Sequence, residues 1–177
     1  MERCDVSVVM GSKSDYPVMQ ECIGILERLG ISCSVDILSA HRTPDRTRSF
    51  ARDAAAAGVR VVIAGAGGSA HLPGFIASLT DLPVIGVPLA SSALHGVDAL
   101  YSIVQMPAGV PVACMAIGKA GARNAGLMAA RILGLTDSEV RAALDVYRKQ
   151  QETRASRPPT AGSGGGSSDD LSGRTDA

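Results

Sequence analysis

Five short runs rich in β-branched and other apolar residues recur along the chain, at residues 6–10, 32–38, 61–64, 84–87 and 112–117. Their length and their Gly, Pro or polar borders predict strands. Helical segments fall between them. One is expected over about 17–29, with Asp15 near its start and Gly30 just past its end. A second opens at Thr43-Pro44, with threonine as N-cap and proline in the first turn, and runs through an alanine-rich stretch to Gly58. Pro73 begins another, Tyr101 to Pro107 reads as a helix ending at a proline, and residues 121–133 form the next. Thr136-Asp137-Ser138-Glu139 has the capping-box form and predicts a last helix to around Arg154. The strands are apolar throughout rather than alternating, as in a parallel sheet covered on both faces. Strand and helix in alternation give a doubly wound α/β fold, whose ligands bind beyond the carboxyl ends of the strands.

Composition narrows this picture. The chain has 177 residues, 46% hydrophobic and 19% charged, which excludes a mostly disordered or collagen-like protein. Aromatic residues supply only 3%, so the core must be built from Ala, Val, Ile and Leu. Lys+Arg and Asp+Glu balance at 17 each. Zero net charge argues against a nucleic-acid partner held by a broad basic surface, so any anion site must be local. Cys4, Cys22, Cys33 and Cys114 form no Cys-x-x-Cys pair and are expected to be reduced thiols. The first apolar run is too short for a signal-peptide core, and none approaches the roughly 20 residues of a membrane span; no membrane association and a cytoplasmic location are expected. From Ala155 the chain turns to Ser, Pro, Gly and Asp. One catalytic domain over 1–154 and a disordered tail over 155–177 are expected.

The strand-end loops hold the candidate chemistry. Gly11-Ser12-Lys13-Ser14-Asp15 follows the first strand: its hydroxyls and the next helix N-terminus can meet an anion, while Asp15 can accept hydrogen bonds from paired sugar hydroxyls. The same Asp15, Ser12 and Ser14 could instead only cap the helix. Ser39-Ala40-His41-Arg42-Thr43-Pro44 sets a histidine beside a guanidinium at a helix mouth. His41 titrates near neutrality when unperturbed and suits general acid/base work, although an exposed loop histidine can also be idle. Ala64-Gly65-Ala66-Gly67-Gly68-Ser69-Ala70-His71-Leu72-Pro73-Gly74 lets backbone approach a ligand, and His71 either faces the site or ties the loop down. Gly65-x-Gly67-x-x-Ala70 partly matches a dinucleotide fingerprint but follows the third strand, so a nicotinamide or flavin site is not expected. Gly118-Lys119-Ala120-Gly121 lacks the features of a phosphate-binding P-loop. His41, His71 and His95 have no metal-ligand spacing, and no metal is expected.

Taken together, these segments resemble the N5-carboxyaminoimidazole ribonucleotide mutase family of purine biosynthesis. The resemblance rests on Met10-Gly11-Ser12-Lys13-Ser14-Asp15, the loop 39–44, the glycine segment 64–74, Gly96-Val97-Asp98-Ala99-Leu100-Tyr101-Ser102-Ile103-Val104-Gln105-Met106-Pro107, and Ala116-Ile117-Gly118-Lys119-Ala120-Gly121-Ala122. Five motifs in order span residue 6 to about 149. The family implies a flavodoxin-like three-layer fold, an octamer, no cofactor, an imidazole ribonucleotide substrate and His41 as the catalytic acid/base. It implies substrate binding by Ser12, Asp15 and Arg42, with Arg42 and the serines, Ser14 and Ser39 included, on the phosphate and Asp15 on the ribose; Gly67, Gly68 and His71 complete the candidate site. A related direct carboxylase of aminoimidazole ribonucleotide carries lysine after the histidine and a different glycine loop. Arg42 and Gly67-Gly68-Ser69-Ala70-His71 side with the mutases. The helix 121–133, apolar or small around much of its circumference, suggests burial on more than one side, either against other subunits or wholly within its own.

Overall fold

A computed structural model describes residues 4–156. Of the tail expected at 155–177, Ala155 is the last residue of a helix and Ser156 its C-cap, while 157–177 lie outside the described residues. Five parallel strands form one sheet in the order β2-β1-β3-β4-β5. They are β1 (Val6–Met10), β2 (Cys33–Ile37), β3 (Val61–Gly67), β4 (Val84–Leu89) and β5 (Ala113–Cys114). The helices are α1 (Tyr16–Arg28), α2 (Pro44–Asp53), α3 (Leu72–Ala77), α4 (Val97–Val104), α5 (Lys119–Leu133) and α6 (Ser138–Ala155). This order and connectivity make a flavodoxin-like fold, whose strand order reverses between β1 and β3.

The strands read as apolar throughout because alternate residues feed two cores. Val6, Val8 and Met10 of β1 pack with Ile63, Ile85 and Val87 under α1, α5 and Val140 of α6. Val9 points the other way, joining Val62, Ala64 and Val84 beneath α2, α3 and α4. At about 1.5–3 kcal/mol for each fully buried aliphatic side chain, such a core dispenses with aromatics. Small residues also let helices approach closely. A Cβ on Gly126 of α5 would lie 3.0 Å from the Cys22 carbonyl oxygen of α1.

The edge strand β2 departs from the expected pattern. It buries none of its five residues fully, and Val35 and Ile37 are 44% and 42% exposed, since a strand with one neighbour has less cover. β3 and β4 run further than expected, whereas β5 shrinks from 112–117 to two residues. The second helix stops at Asp53 and passes through turns before Gly58. Its N-cap Thr43 makes no capping bond, because its hydroxyl donates to the Ser39 carbonyl and accepts the Ser39 N–H. The helix expected at 101–107 starts four residues earlier, at Val97, and ends at Val104, while α5 begins at Lys119. The last helix is capped by Asp137, not Thr136: the Asp137 carboxylate accepts the Glu139 and Val140 N–H groups. The wide apolar surface of α5 is met within its own subunit, by α1, α6 and the sheet. Leu127, Met128 and Ile132 on it stay half-buried.

Candidate active site

Three strand-end loops converge beside the β1/β3 reversal and enclose a cavity of about 430 Å³. Of the residues singled out from sequence, Ser12, Ser14, Asp15, Ser39, His41, Arg42, Gly67 and His71 line it. Gly68 does not; at φ +59° it makes the turn that follows β3. Gly11, Ala40, Ala66, Ala70, Leu72 and Ser91 also line the cavity without having been selected. Ser91 was within reach of the strand-end rule, lying two residues past β4, but no chemical motif marks its small-residue loop. The glycines of the apparent dinucleotide fingerprint are strand residues of β3, which removes the strand-to-helix turn that fingerprint requires.

After β1 the chain enters a 3-10 turn, Lys13–Asp15, closed by a reciprocal cap. The Ser12 N–H donates to Asp15 Oδ2 at 2.9 Å, while Ser12 Oγ accepts from the Ser14 N–H (3.3 Å) and hydroxyl (2.9 Å). With both lone pairs engaged, the Ser12 hydroxyl proton is left to donate elsewhere. The residues cap the turn, and the same arrangement leaves a donor free. Asp15 is only 8% exposed. Burial raises its pKa above the usual aspartate value, against the opposing pull of the Ser12 N–H and the Arg42 charge.

The loop after β2 repeats this device. Ser39 Oγ accepts the Arg42 N–H at 3.1 Å and Nε at 3.4 Å, so its hydroxyl proton is also free to donate. A terminal nitrogen of Arg42 donates to the Gly11 carbonyl at 2.6 Å, tying the second loop to the first. Two hydroxyls and a held guanidinium therefore face one cavity, which is the donor set an anion such as phosphate needs.

The third loop contributes His71, whose Nδ1 lies 2.7 Å from His41 Nε2, with the rings edge to face. Such a contact holds one proton between two nitrogens, so one ring donates and the other accepts. His71 is free to reach across because it begins α3 without capping it through its side chain. The second His41 nitrogen remains for a ligand. His41 and Arg42 are exposed, in contrast to Asp15 behind them. Among the described residues no group of three or more His, Cys, Asp or Glu could hold a metal ion. None of the described helices is long and apolar enough to cross a membrane.

Known proteins resemble this chain over most of its length. The chain is 57% identical over 155 residues to the N5-carboxyaminoimidazole ribonucleotide mutase of Brucella melitensis, covering 87% of this chain and 96% of that protein. Identity to the Escherichia coli K12 mutase is 57% over 146 residues, covering 82% and 86%. The crystal structure of Treponema denticola PurE superposes with a TM-score of 0.76 at 30% identity, over 85% of this chain and 92% of that one. The AIR carboxylase family model matches residues 5–154, and with these relatives it shows that the chain belongs to the AIR carboxylase family.

Proposed function

We propose that this chain converts N5-carboxyaminoimidazole ribonucleotide to 4-carboxyaminoimidazole ribonucleotide in purine biosynthesis, with His41 as the single general acid/base. The enzyme class, an isomerase-type mutase, follows from the Brucella melitensis and Escherichia coli relatives above, both named for that reaction. The finer reading rests on one observation: an imidazole held by a second imidazole at 2.7 Å, in a cavity with an anion-donor set and a buried carboxylate.

Ser12, Ser39 and Arg42 bind the phosphate, Ser14 orients the Ser12 hydroxyl toward it by donating to Ser12 Oγ, and Asp15 takes the ribose hydroxyls. That places the base toward His41, Gly67 and His71. Protonated His41 gives its proton to the carbamate nitrogen as the N–C bond breaks, releasing CO2 and leaving neutral aminoimidazole. A water-poor pocket favours this loss, since a localised carboxylate becomes a neutral molecule. The enamine-like ring then attacks the same CO2 through carbon four, provided the gas stays beside it. The new C–C bond leaves a proton on that carbon, and His41 removes it, returning to its starting state. No proton is gained or lost over the cycle. His71, the hydrogen-bond partner, fixes the His41 ring and tautomer.

Gly67 and the alanines Ala40, Ala66 and Ala70 shape a cavity with room for a small molecule. The reading needs no cofactor. Free CO2 fixation, the related carboxylase reaction, is the less supported alternative, because Arg42 follows the histidine here. We also place the enzyme in the cytoplasm as a homo-oligomer, with the octamer as the expected assembly. Leu94, Val97, Tyr101 and Val104 support subunit contacts: they form an apolar stripe 44–62% exposed on and before α4. Sedimentation of a stable monomer would overturn that part.

The decisive experiment is His41→Asn, assayed with the N-carboxylated substrate in the presence of a chelator. Turnover is expected to fall at least about 100-fold with nucleotide affinity kept. Retained activity removes His41 from the chemistry. Rapid entry of labelled bicarbonate into product during turnover would point to the carboxylase instead.

A further inference from the structure

A second cavity, of about 550 Å³, lies against α5 and α6 and shares no residue with the strand-end site. Leu127 and Arg131 come from α5; Arg141, Leu144, Asp145, Tyr147, Arg148 and Gln151 come from α6. Three arginines thus face one aspartate, in a chain whose overall charge is zero. That aspartate is already engaged, since Asp145 pairs with Arg148 one helical turn on. Among the described residues no carboxylate pairs with Arg131 or Arg141. Arg141 donates through Nε to the Gly134 carbonyl at 3.1 Å, which holds its guanidinium in place and leaves the terminal nitrogens for another acceptor.

Tyr147 carries a further guanidinium, Arg28, 4.7 Å from its ring centre. Positive charge therefore accumulates here beyond what Asp145 compensates. Arginine rather than lysine supplies it, and the planar fork matches the oxygens of a phosphate. The lining is not wholly polar. Leu127, Leu144 and Tyr147 offer apolar surface that an inorganic anion would leave wet, and the Gln151 amide can both donate to and accept from a heteroaromatic edge. The volume falls within the range of small-ligand pockets.

We propose that this cavity binds a nucleoside monophosphate, its phosphate between Arg131 and Arg141 and its base against Leu127, Leu144 and Tyr147. The inference is independent of the reaction assigned to the strand-end site.

Titration calorimetry of the full chain tests it, with adenosine 5′-monophosphate, inorganic phosphate and adenosine as probes. The monophosphate is expected to bind at least about tenfold tighter than either part alone. Its affinity should survive Arg42→Gln, which disables the strand-end anion site, and fall at least about tenfold in Arg131→Gln/Arg141→Gln. Arg131→Gln alone removes no hydrogen bond or ion pair among the described residues, so it serves if the double variant loses structure. Binding lost in Arg42→Gln but kept in the arginine double variant overturns the proposal. So does a monophosphate that binds no tighter than phosphate, or no heat at millimolar ligand. A smaller sedimenting species in the double variant, without nucleotide binding in the wild type, makes this face a contact between subunits and also overturns it.

Discussion

Gly67 closes β3 against the loop that carries Ser91, and a methyl group there is a sharp test of how the cavity is built. A Cβ at Gly67 would stand 1.8 Å from Ser91 Oγ, 2.8 Å from Ser91 Cβ and 3.2 Å from the Leu89 carbonyl oxygen. Rotation of the serine removes the first clash but not the second, and the third involves backbone at the end of β4. Gly67→Ala should therefore cost about 1–3 kcal/mol, as overpacking does. For a chain of this size each kcal/mol lowers Tm by about 2–4 °C. Ser91→Gly alone should cost no more than about 1 kcal/mol, through added backbone freedom. Combined, the two changes remove the Cβ–Cβ clash, so the double variant should be more stable than the sum of the singles by about 1–2 kcal/mol. Both residues line the cavity, so kcat/KM should fall in Gly67→Ala and partly recover in the double variant. Urea unfolding of the four proteins at one protein concentration, which holds any subunit association constant, measures the cycle. Additivity within about 0.5 kcal/mol, or an unchanged Gly67→Ala, would refute this packing.

Asp15→Asn should raise Tm near neutral pH while weakening nucleotide binding. Burial raises the folded-state pKa, so ionised Asp15 costs stability, a cost that shrinks as pH falls below the raised folded value and is gone below the unfolded value near 3.8. The variant's advantage should accordingly vanish in acid, and melts from pH 3 to 8 check it. Arg42→Lys should raise KM about 10- to 100-fold with a smaller effect on kcat, because a single ammonium cannot hold the Gly11 carbonyl, Ser39 and a phosphate in one plane; steady-state kinetics separate the two. Cys22, fully buried and with its thiol pushed up to about 12, should resist iodoacetamide in the native chain and react only on unfolding, which peptide mapping reads directly.

The sheet was legible because parallel strands buried on both faces leave an unmistakable record, and β1 falls on the residues expected of it. The failures have local causes. β5 was overread because Val112 to Ile117 is apolar, yet only Ala113 and Cys114 pair with β4; Met115 reaches back to the Gly86 carbonyl, and the chain turns away to α5. Thr136 looked like a cap because the motif admits threonine, whereas its hydroxyl donates to the Leu133 carbonyl and accepts from Arg60, leaving the cap to Asp137. At the site, single residues were readable from chemistry and loop position. Their pairing was not, since the contact between His41 and His71 spans 30 residues and depends on how two loops lean across the sheet.

That lean has a cause in the strand order. β1 lies between β2 and β3, so the loops that follow the outer two can close over the first. The loop after β2 makes both connections: Arg42 bonds the Gly11 carbonyl on one side, and its neighbour His41 meets His71 on the other. Two adjacent residues of opposite task are thereby fixed by different partners. The guanidinium is braced by backbone and Ser39, as the phosphate contact proposed for Arg42 asks, since such a contact gains from holding still. The imidazole is braced by another imidazole, a partner that can accept or donate as the proton moves. A carboxylate in the place of His71 would steady the ring equally well but could only accept from it. A histidine partner can take either side of the hydrogen bond, which is the latitude that the acid/base role proposed for His41 asks for.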